Sequence, residues 1–396
     1  MSGGLLRAMN MMRVRQLCNP VGSILLLTDG QANVGISNHD DLLRAVAGMT
    51  AASPTYHPSY TLNTFGFGSE HSALLLRRLS DAGHGMYFYV AGEEDIPQSF
   101  ADCIGGLLSV VAQNIEMEIR PYGSHRIVQL NLTRGVAVAD GGWKVDLGDI
   151  QSGEERNIPF QVVVQPERGR VGVGDGVGMS VGVGVGVGAD TMDDRDNALS
   201  FTDPASAVVF PDSAFVSNSV AAAVAVAAAA AGGGAGGEMA VAQCRVTFFN
   251  VITNQVETAI CEAVLRVCGP NDKPQPSVKV GLHRTRVQCA ETMARAQELA
   301  ETRNYEAARA LLEGRMAELS LHSTQDHADL RDDVRRCLDT LVHEDTYRAR
   351  GSHIMSSCSQ THWAERSNVS SHPRGRVSYS TPFKDDSKKH VKFFKD

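Results

Sequence analysis

Ser23-Ile24-Leu25-Leu26-Leu27-Thr28-Asp29-Gly30-Gln31-Ala32-Asn33-Val34-Gly35 is the stretch that decides the fold. The four consecutive large aliphatics, Ile24 to Leu27, are too short a run for a helix of ordinary length, and they stop at a polar, turn-forming cluster. That pattern predicts a strand buried on both faces of a parallel sheet. Asp29 then falls just past the carboxyl end of the strand, where open α/β sheets place their ligands.

Working outward from this strand, residues 1–112 alternate strand and helix. A short amphipathic helix precedes it, and a second helix, Asp40 to Met49, starts after Ser37-Asn38, both good caps. Tyr60 to Gly68 reads as a strand, Ser72 to Ala82 as a helix carrying Leu74, Leu75, Leu76 and Leu79, Gly85 to Val90 as a third strand, and Ile96 to Val111 as a further helix. Strict alternation implies a parallel sheet with right-handed crossovers.

Three blocks, Leu25-Leu26-Leu27-Thr28-Asp29-Gly30 with Asn33 and Gly35, Phe65-Gly66-Phe67-Gly68, and Gly85-Met86-Tyr87-Phe88, resemble von Willebrand factor type A (vWA) domains in order and spacing. The resemblance implies a partial, Rossmann-like parallel sheet of the vWA type and a protein-interaction role. It also implies that Asp29 is a ligand in a Mg²⁺ site that takes a carboxylate from a protein partner. The family site further needs a DxSxS loop and a Thr from earlier in the domain, and no DxSxS occurs in this chain. Mg²⁺ wants octahedral oxygen ligands, so a lone carboxylate is not a site. The resemblance therefore implies a degenerate or incomplete metal site, with Mg²⁺ bound only if the missing half is supplied. It also implies a chain that starts about halfway through such a domain. A truncated gene model is favoured over a partner covering the strand that would then stand at the sheet edge.

From Ile115 the period changes to two. Ile115, Met117 and Ile119, then Val128, Leu130 and Leu132, alternate with polar residues, and Trp143 to Ile150 and Ile158 to Val164 continue the rhythm. This predicts an antiparallel β-sandwich whose first part covers 113–166. Residues 167–240 are a Gly/Ala/Val insertion of low complexity, expected to be flexible because glycine orders at high entropic cost and the other side chains bury little, with a sheet-like Val-Gly ribbon and a transient helix over Ala221–Ala231 as the alternatives. The sandwich is expected to resume over 241–270. A helical region over 283–345 contains a hairpin of Arg284 to Ala300 and Tyr305 to Ser320, and 346–396 is expected to be a loosely held tail rich in Ser, His and Lys. Trp143 to Ile150, the segment Tyr305-Glu306-Ala307-Ala308-Arg309 and Gly351-Ser352-His353-Ile354-Met355 resemble the region that follows vWA in the vWA/Hint proteins.

The net charge of −8 and an aromatic content of 6%, with no basic stripe, speak against nucleic acid as partner. No apolar run is long enough to span a membrane. The eight cysteines include no CxxC pair, so zinc-finger, RING and thioredoxin chemistry lack their spacing; reduced thiols in an intracellular, cytoplasmic protein are expected. Ser69 is not in a GxSxG elbow, and a hydrolase using Ser69 with His71 is the least favoured class; a helix cap beside a surface His is preferred. His39, His353 and His362 have no ligand spacing and are expected at the surface, and Lys384, Lys388, Lys389, Lys392 and Lys395 are expected to be solvated. The sequence thus points to a non-enzymatic, vWA-type interaction module with no resident cofactor, its protein partner unspecified. The alternative is a scaffold of a vWA–RING-like ubiquitin-pathway protein lacking its RING.

Overall fold

The computed structural model describes residues 1–30, 35–51, 60–130, 135–138, 140–164, 179–189, 199–200, 206–207, 238–266, 278–321, 325–368 and 379–392. Its first unit runs α1 (Ser2–Val14), β1 (Gly22–Thr28), α2 (His39–Ala51), β2 (Tyr60–Phe67), α3 (Ala73–Ala82), β3 (His84–Val90) and α4 (Ile96–Leu108). The strands form a parallel sheet in the order β1-β2-β3. Local chemistry starts the helices. Asn38 Oδ1 accepts from the amides of Asp40 and Asp41 at 2.9 and 3.1 Å, and Ser72 Oγ accepts from Leu75 N at 3.3 Å. Each cap satisfies donors that the first helical turn leaves open.

Alternation along the strands builds two layers. Ile24, Leu62 and Tyr87 face Leu5, Met9, Leu42, Val46 and Leu79 of α1–α3. Phe65 and Phe88 point to the opposite face with Cys103 and Phe100 of α4, and Phe65 stacks on both other phenyl rings at 4.8 and 4.6 Å. The expected burial of β1 on both faces is not observed. Only Ile24 is fully buried, Leu25 and Leu26 are half-buried, and Leu27 is 49% exposed. The reason is position: among the described residues β1 pairs with β2 alone, so one of its sides faces solvent.

Helix α4 ends at Leu108, earlier than its sequence pattern suggested, because Val110 and Val111 enter a long strand, β4 (Val110–Pro121). Then come β5 (Arg126–Leu130), β6 (Gly135–Ala137), β7 (Trp143–Gln151), β8 (Glu155–Val164), β9 (Met179–Ala189), the two-residue β10 (Leu199–Ser200) and β11 (Ser206–Ala207), β12 (Glu238–Asn250) and β13 (Gln255–Arg266). A six-stranded sheet, β11-β13-β12-β4-β7-β6, faces a four-stranded one, β10-β9-β8-β5. Ile115, Met117, Ile119, Val145, Phe160 and Val246 fill the space between them. The Val-Gly stretch supplies β9, which pairs antiparallel with β8; the Ala tract 221–231 lies outside the described residues.

The helical unit comprises α5 (Val278–Glu301), α6 (Tyr305–Ser320) and α7 (Gln325–Thr340), then a short turn (Glu344–Thr346), a π-helical turn (Tyr347–Gly351), α8 (Ser352–Ala364) and α9 (Pro382–Lys392). The expectation of a loose tail after residue 345 is corrected here. In α8, nine residues from His353 to His362 are buried, Met355 and Cys358 in the apolar core, while His353, Ser356, Ser359, Gln360 and His362 have hydrogen-bonding partners. Ser359 Oγ donates to Ala290 O at 3.0 Å, and Gln297 Nε2 donates to Ser356 Oγ at 2.8 Å. Small polar side chains let α8 approach its neighbours closely, and the same composition reads as solvent-facing in a sequence.

Candidate functional site

The predicted metal-site loop lies at the carboxyl end of the edge strand β1. Thr28 Oγ1 donates to Gly30 O at 3.0 Å and accepts from Gly30 N at 3.4 Å, so the hydroxyl is turned back into its own turn. Asp29 is exposed, and Asn33 lies outside the described residues. No group of three His, Cys, Asp or Glu side chains among the described residues could hold a metal ion. One exposed carboxylate beside an occupied hydroxyl does not fit the octahedral oxygen set of Mg²⁺.

The free edges of the sheet differ. On β3, Tyr87 N donates to Gln360 Oε1 at 2.7 Å, and Asn368 Nδ2 donates to Tyr87 O. Two carboxamides, one within α8 and one four residues past its end, thus cap this edge at Tyr87. Gln360 is tied down in turn, donating to Ser80 Oγ at 3.0 Å and Asp81 Oδ1 at 2.7 Å. On β1, Ser23 Oγ donates to Thr61 O at 3.2 Å, inward to β2, and among the described residues no strand pairs with its outer side.

His71 and His353 are corrected from surface residues to buried ones, at 5% and 2% exposure. Tyr87 Oη lies 2.8 Å from His71 Nε2 and 3.1 Å from His353 Nδ1, so one phenol bridges two imidazoles. His353 also stacks on Tyr89, at 4.4 Å and 9°. Burial depresses both histidines to about 4, and the nearness of His71 adds to the shift of His353. A Cβ at Gly66 would stand 2.0 Å from His71 Nε2, so the glycine is what admits the ring. His71 is therefore committed to Tyr87, and Ser69 is exposed. The Ser69–His71 hydrolase pair is not formed.

Between the parallel sheet, the sandwich and α8 lies a cavity of about 100 Å³ lined by His84, Asp146, Arg156, Asn157, Glu365 and Arg366, among others. Charges surround it. Arg366 donates from Nε to Glu154 Oε1 at 3.0 Å, and Arg156 reaches the same carboxylate. Glu365 takes Asn157 Nδ2 at 3.1 Å, His283 Nδ1 at 3.3 Å and Arg286 Nε at 3.4 Å. Burial alone would raise Glu365, but the Arg286 guanidinium, His283 and the Asn157 amide outweigh it and hold the carboxyl at about 2. Burial raises Asp149 to about 6 despite Arg366.

His362 is likewise internal, with Nε2 2.9 Å from Asp333 Oδ2 and Nδ1 3.1 Å from Tyr379 Oη. Lys388 Nζ pairs with Asp102 Oδ1 at 2.8 Å and Lys384 is buried beside it, so these two lysines hold α9 on α4. Lys395 lies outside the described residues. Nothing in the spacing of Tyr87, Gln360, Glu365 or Asn368 marked them, because most of their partners lie more than 200 residues away, the exceptions being His71 for Tyr87 and His283 and Arg286 for Glu365. The one available signal was the density of Ser, His, Gln and Asn from His353 to Asn368, too hydrogen-bonding a set for a free tail.

No family model matches the chain. Over 170 residues it is 30% identical to the E3 ubiquitin-protein ligase WAV3 of Arabidopsis thaliana, an alignment covering 41% of this chain and 20% of that protein. Over 156 residues it is 24% identical to the uncharacterized protein YfbK of Escherichia coli (strain K12), covering 38% of this chain and 26% of that one. The chain thus matches about a quarter or less of the length of these curated relatives. Among solved structures, the von Willebrand factor type A protein from Catenulispora acidiphila superposes with a TM-score of 0.50 at 11% identity, over 90% of this chain and 68% of that one. Identity that low speaks to the fold alone. The fold is of the von Willebrand factor type A kind: a parallel α/β sheet with an antiparallel sandwich and helices. Among the described residues, no helix is long and apolar enough to cross a membrane.

Proposed function

We propose that this chain is a non-enzymatic protein-interaction module, in which the open side of β1 and the adjoining Thr28–Gly30 turn receive an extended segment of a protein partner without a bound Mg²⁺. The carrying observation is the asymmetry of the sheet. The β3 edge is closed at Tyr87 by the side chains of Gln360 and Asn368, whereas among the described residues β1 pairs with no strand on its outer side and leaves Leu27 half-exposed. An open strand edge offers backbone donors and acceptors to an incoming strand, with side-chain contacts adding selectivity. The non-enzymatic reading is supported by thiols such as Cys103 and Cys289, which burial pushes to about 12, and by histidines engaged with Tyr87.

A photo-crosslinking residue at Leu27 tests this in an extract of the source organism. The expected outcome is a discrete protein adduct that persists in EDTA and is absent when the probe sits at Val136, which is exposed on β6. Equal labelling from both positions, or loss of the Leu27 adduct in EDTA, would count against an edge that works without metal.

The likeness to WAV3 favours a second reading, a scaffold acting in the ubiquitin pathway. With ubiquitin, activating enzyme and a panel of conjugating enzymes, this chain alone is expected to leave ubiquitin untransferred. Chain-dependent ubiquitin conjugates would place ligase activity within these residues.

A further inference from the structure

Strands β12 and β13 pair antiparallel, and their register sets Cys244 directly opposite Cys261. Both point into the sandwich: Ala242, Cys244, Val246 and Phe248 alternate inward along β12, and Cys261 packs against the same apolar cluster from β13. Directly opposed residues in such a ladder hold their Cβ atoms about 4.5–5.5 Å apart, and a disulfide needs about 3.5–4.5 Å. A small local closing of the pair therefore suffices. Each thiol feels the other: Cys261 and burial together raise the Cys244 thiol, and Cys244 lowers that of Cys261.

Their exposures differ in a useful sense. Cys244 is fully buried and Cys261 is partly open to solvent. β11 covers β13 only at Val264 and Leu265, so among the described residues no strand lies outside Cys261. The other described thiols lack this combination. Cys337 and Cys358 are in contact but have no exposure, and burial keeps Cys103 and Cys289 protonated. Cys18 is partly exposed, but its sulfur donates to Arg15 O.

We propose that Cys244 and Cys261 are a thiol pair that hydrogen peroxide oxidises to an intramolecular disulfide, stapling the outer strand β13 to β12. Cys261 sulfur attacks one peroxide oxygen and the O–O bond breaks; the departing hydroxide takes up the thiol proton and leaves as water. The resulting sulfenic acid is then attacked by Cys244 sulfur. Its S–O bond breaks, and the hydroxide leaves as a second water with the Cys244 proton. Two thiols lose two electrons and two protons, and one peroxide becomes two waters. The order follows from access: the partly exposed sulfur meets the oxidant and the buried one resolves it.

The test treats the full chain, natively folded, with hydrogen peroxide, blocks residual thiols with N-ethylmaleimide and maps the peptides by mass. The expected product is a Cys244–Cys261 linked peptide, lighter by two hydrogen atoms than its parts and restored to both thiols by dithiothreitol. Cys337 and Cys358 should stay reduced. Cys261→Ser and Cys244→Ser should each abolish the linked peptide, and Cys244→Ser should leave Cys261 as a sulfenic acid that dimedone captures. Peroxide that yields no Cys244–Cys261 peptide, or dimedone label in Cys244→Ser that avoids Cys261, overturns the proposal. The serine variants differ by one atom, and a circular-dichroism spectrum matching the parent shows that a lost product is chemical and not a failure to fold.

Discussion

Replacing Glu365 by Ala is expected to remove about 3–5 kcal/mol of stability, the cost of leaving a buried charge without its counter-ion. Glu365 is buried between α5 and β8, where it accepts from both Asn157 nitrogens and pairs by charge with Arg286 and His283. Its loss would strand the Arg286 guanidinium, whose remaining partners are two carbonyls, of His362 and Asn157. Glu365→Gln keeps an acceptor for Asn157 while losing the charge, so it should fall between wild type and Glu365→Ala. Urea unfolding followed by circular dichroism checks this. A Glu365→Ala midpoint equal to that of wild type would mean the network contributes nothing net, as some buried ion pairs do.

The second large effect is acid sensitivity. His71 and His353 are held near 4 in the folded chain against an ordinary 6.5. The unfolded chain therefore takes up protons that the fold refuses. Stability present above pH 6.5 is lost as pH falls toward 4, by up to ~3 kcal/mol for each histidine. Asp149 works the other way. Its folded value of about 6 lies above the ordinary 3.8, so it adds stability as pH falls through that window. Two histidines outweigh one carboxylate, and a net decline is expected. Glu365, at about 2 against 4.5, contributes stability above pH 4.5 that disappears as pH falls further, so the decline steepens there. Urea midpoints measured from pH 7 to pH 3 should trace this two-stage fall, and His353→Asn should flatten the upper stage. A midpoint constant from pH 7 to pH 4.5 in the wild type would remove the histidines from the account.

The parallel unit was legible because its elements are specified locally. Apolar runs ending at glycines mark β2 and β3, and Ser72 and Asn38 cap helices with their own side chains. The switch to two-residue alternation at Ile115 likewise announced the sandwich. The edge position of β1 followed from the resemblance and not from the apolar run itself. The same Leu25–Leu27 run would suit a central strand, and only the neighbour count makes Leu27 half-exposed. The region from Ser352 onward was misread outright. Its serines, histidines and lysines read as solvated, yet Ser356, Ser359, His353, His362, Lys384 and Lys388 are buried because each is hydrogen-bonded or ion-paired inside. Burial of a polar group is decided by whether a partner awaits it, and those partners are distant in the chain. For the candidate site, sequence located the Thr28–Gly30 turn but not the contrast between the two sheet edges.

The carboxamides of Gln360 and Asn368 on Tyr87 act, in the language of polymers, as a chain terminator. A sheet with two live edges can add units at both ends and grow without limit. Here one end is stopped at Tyr87, so a strand added at β1 would leave this sheet without a second growing edge. Two copies meeting edge to edge would use up both growing ends in a single two-fold pair, which closes on itself and cannot propagate into a fibre. The side chains that finish one end of the sheet would thereby limit what addition at its other end could build.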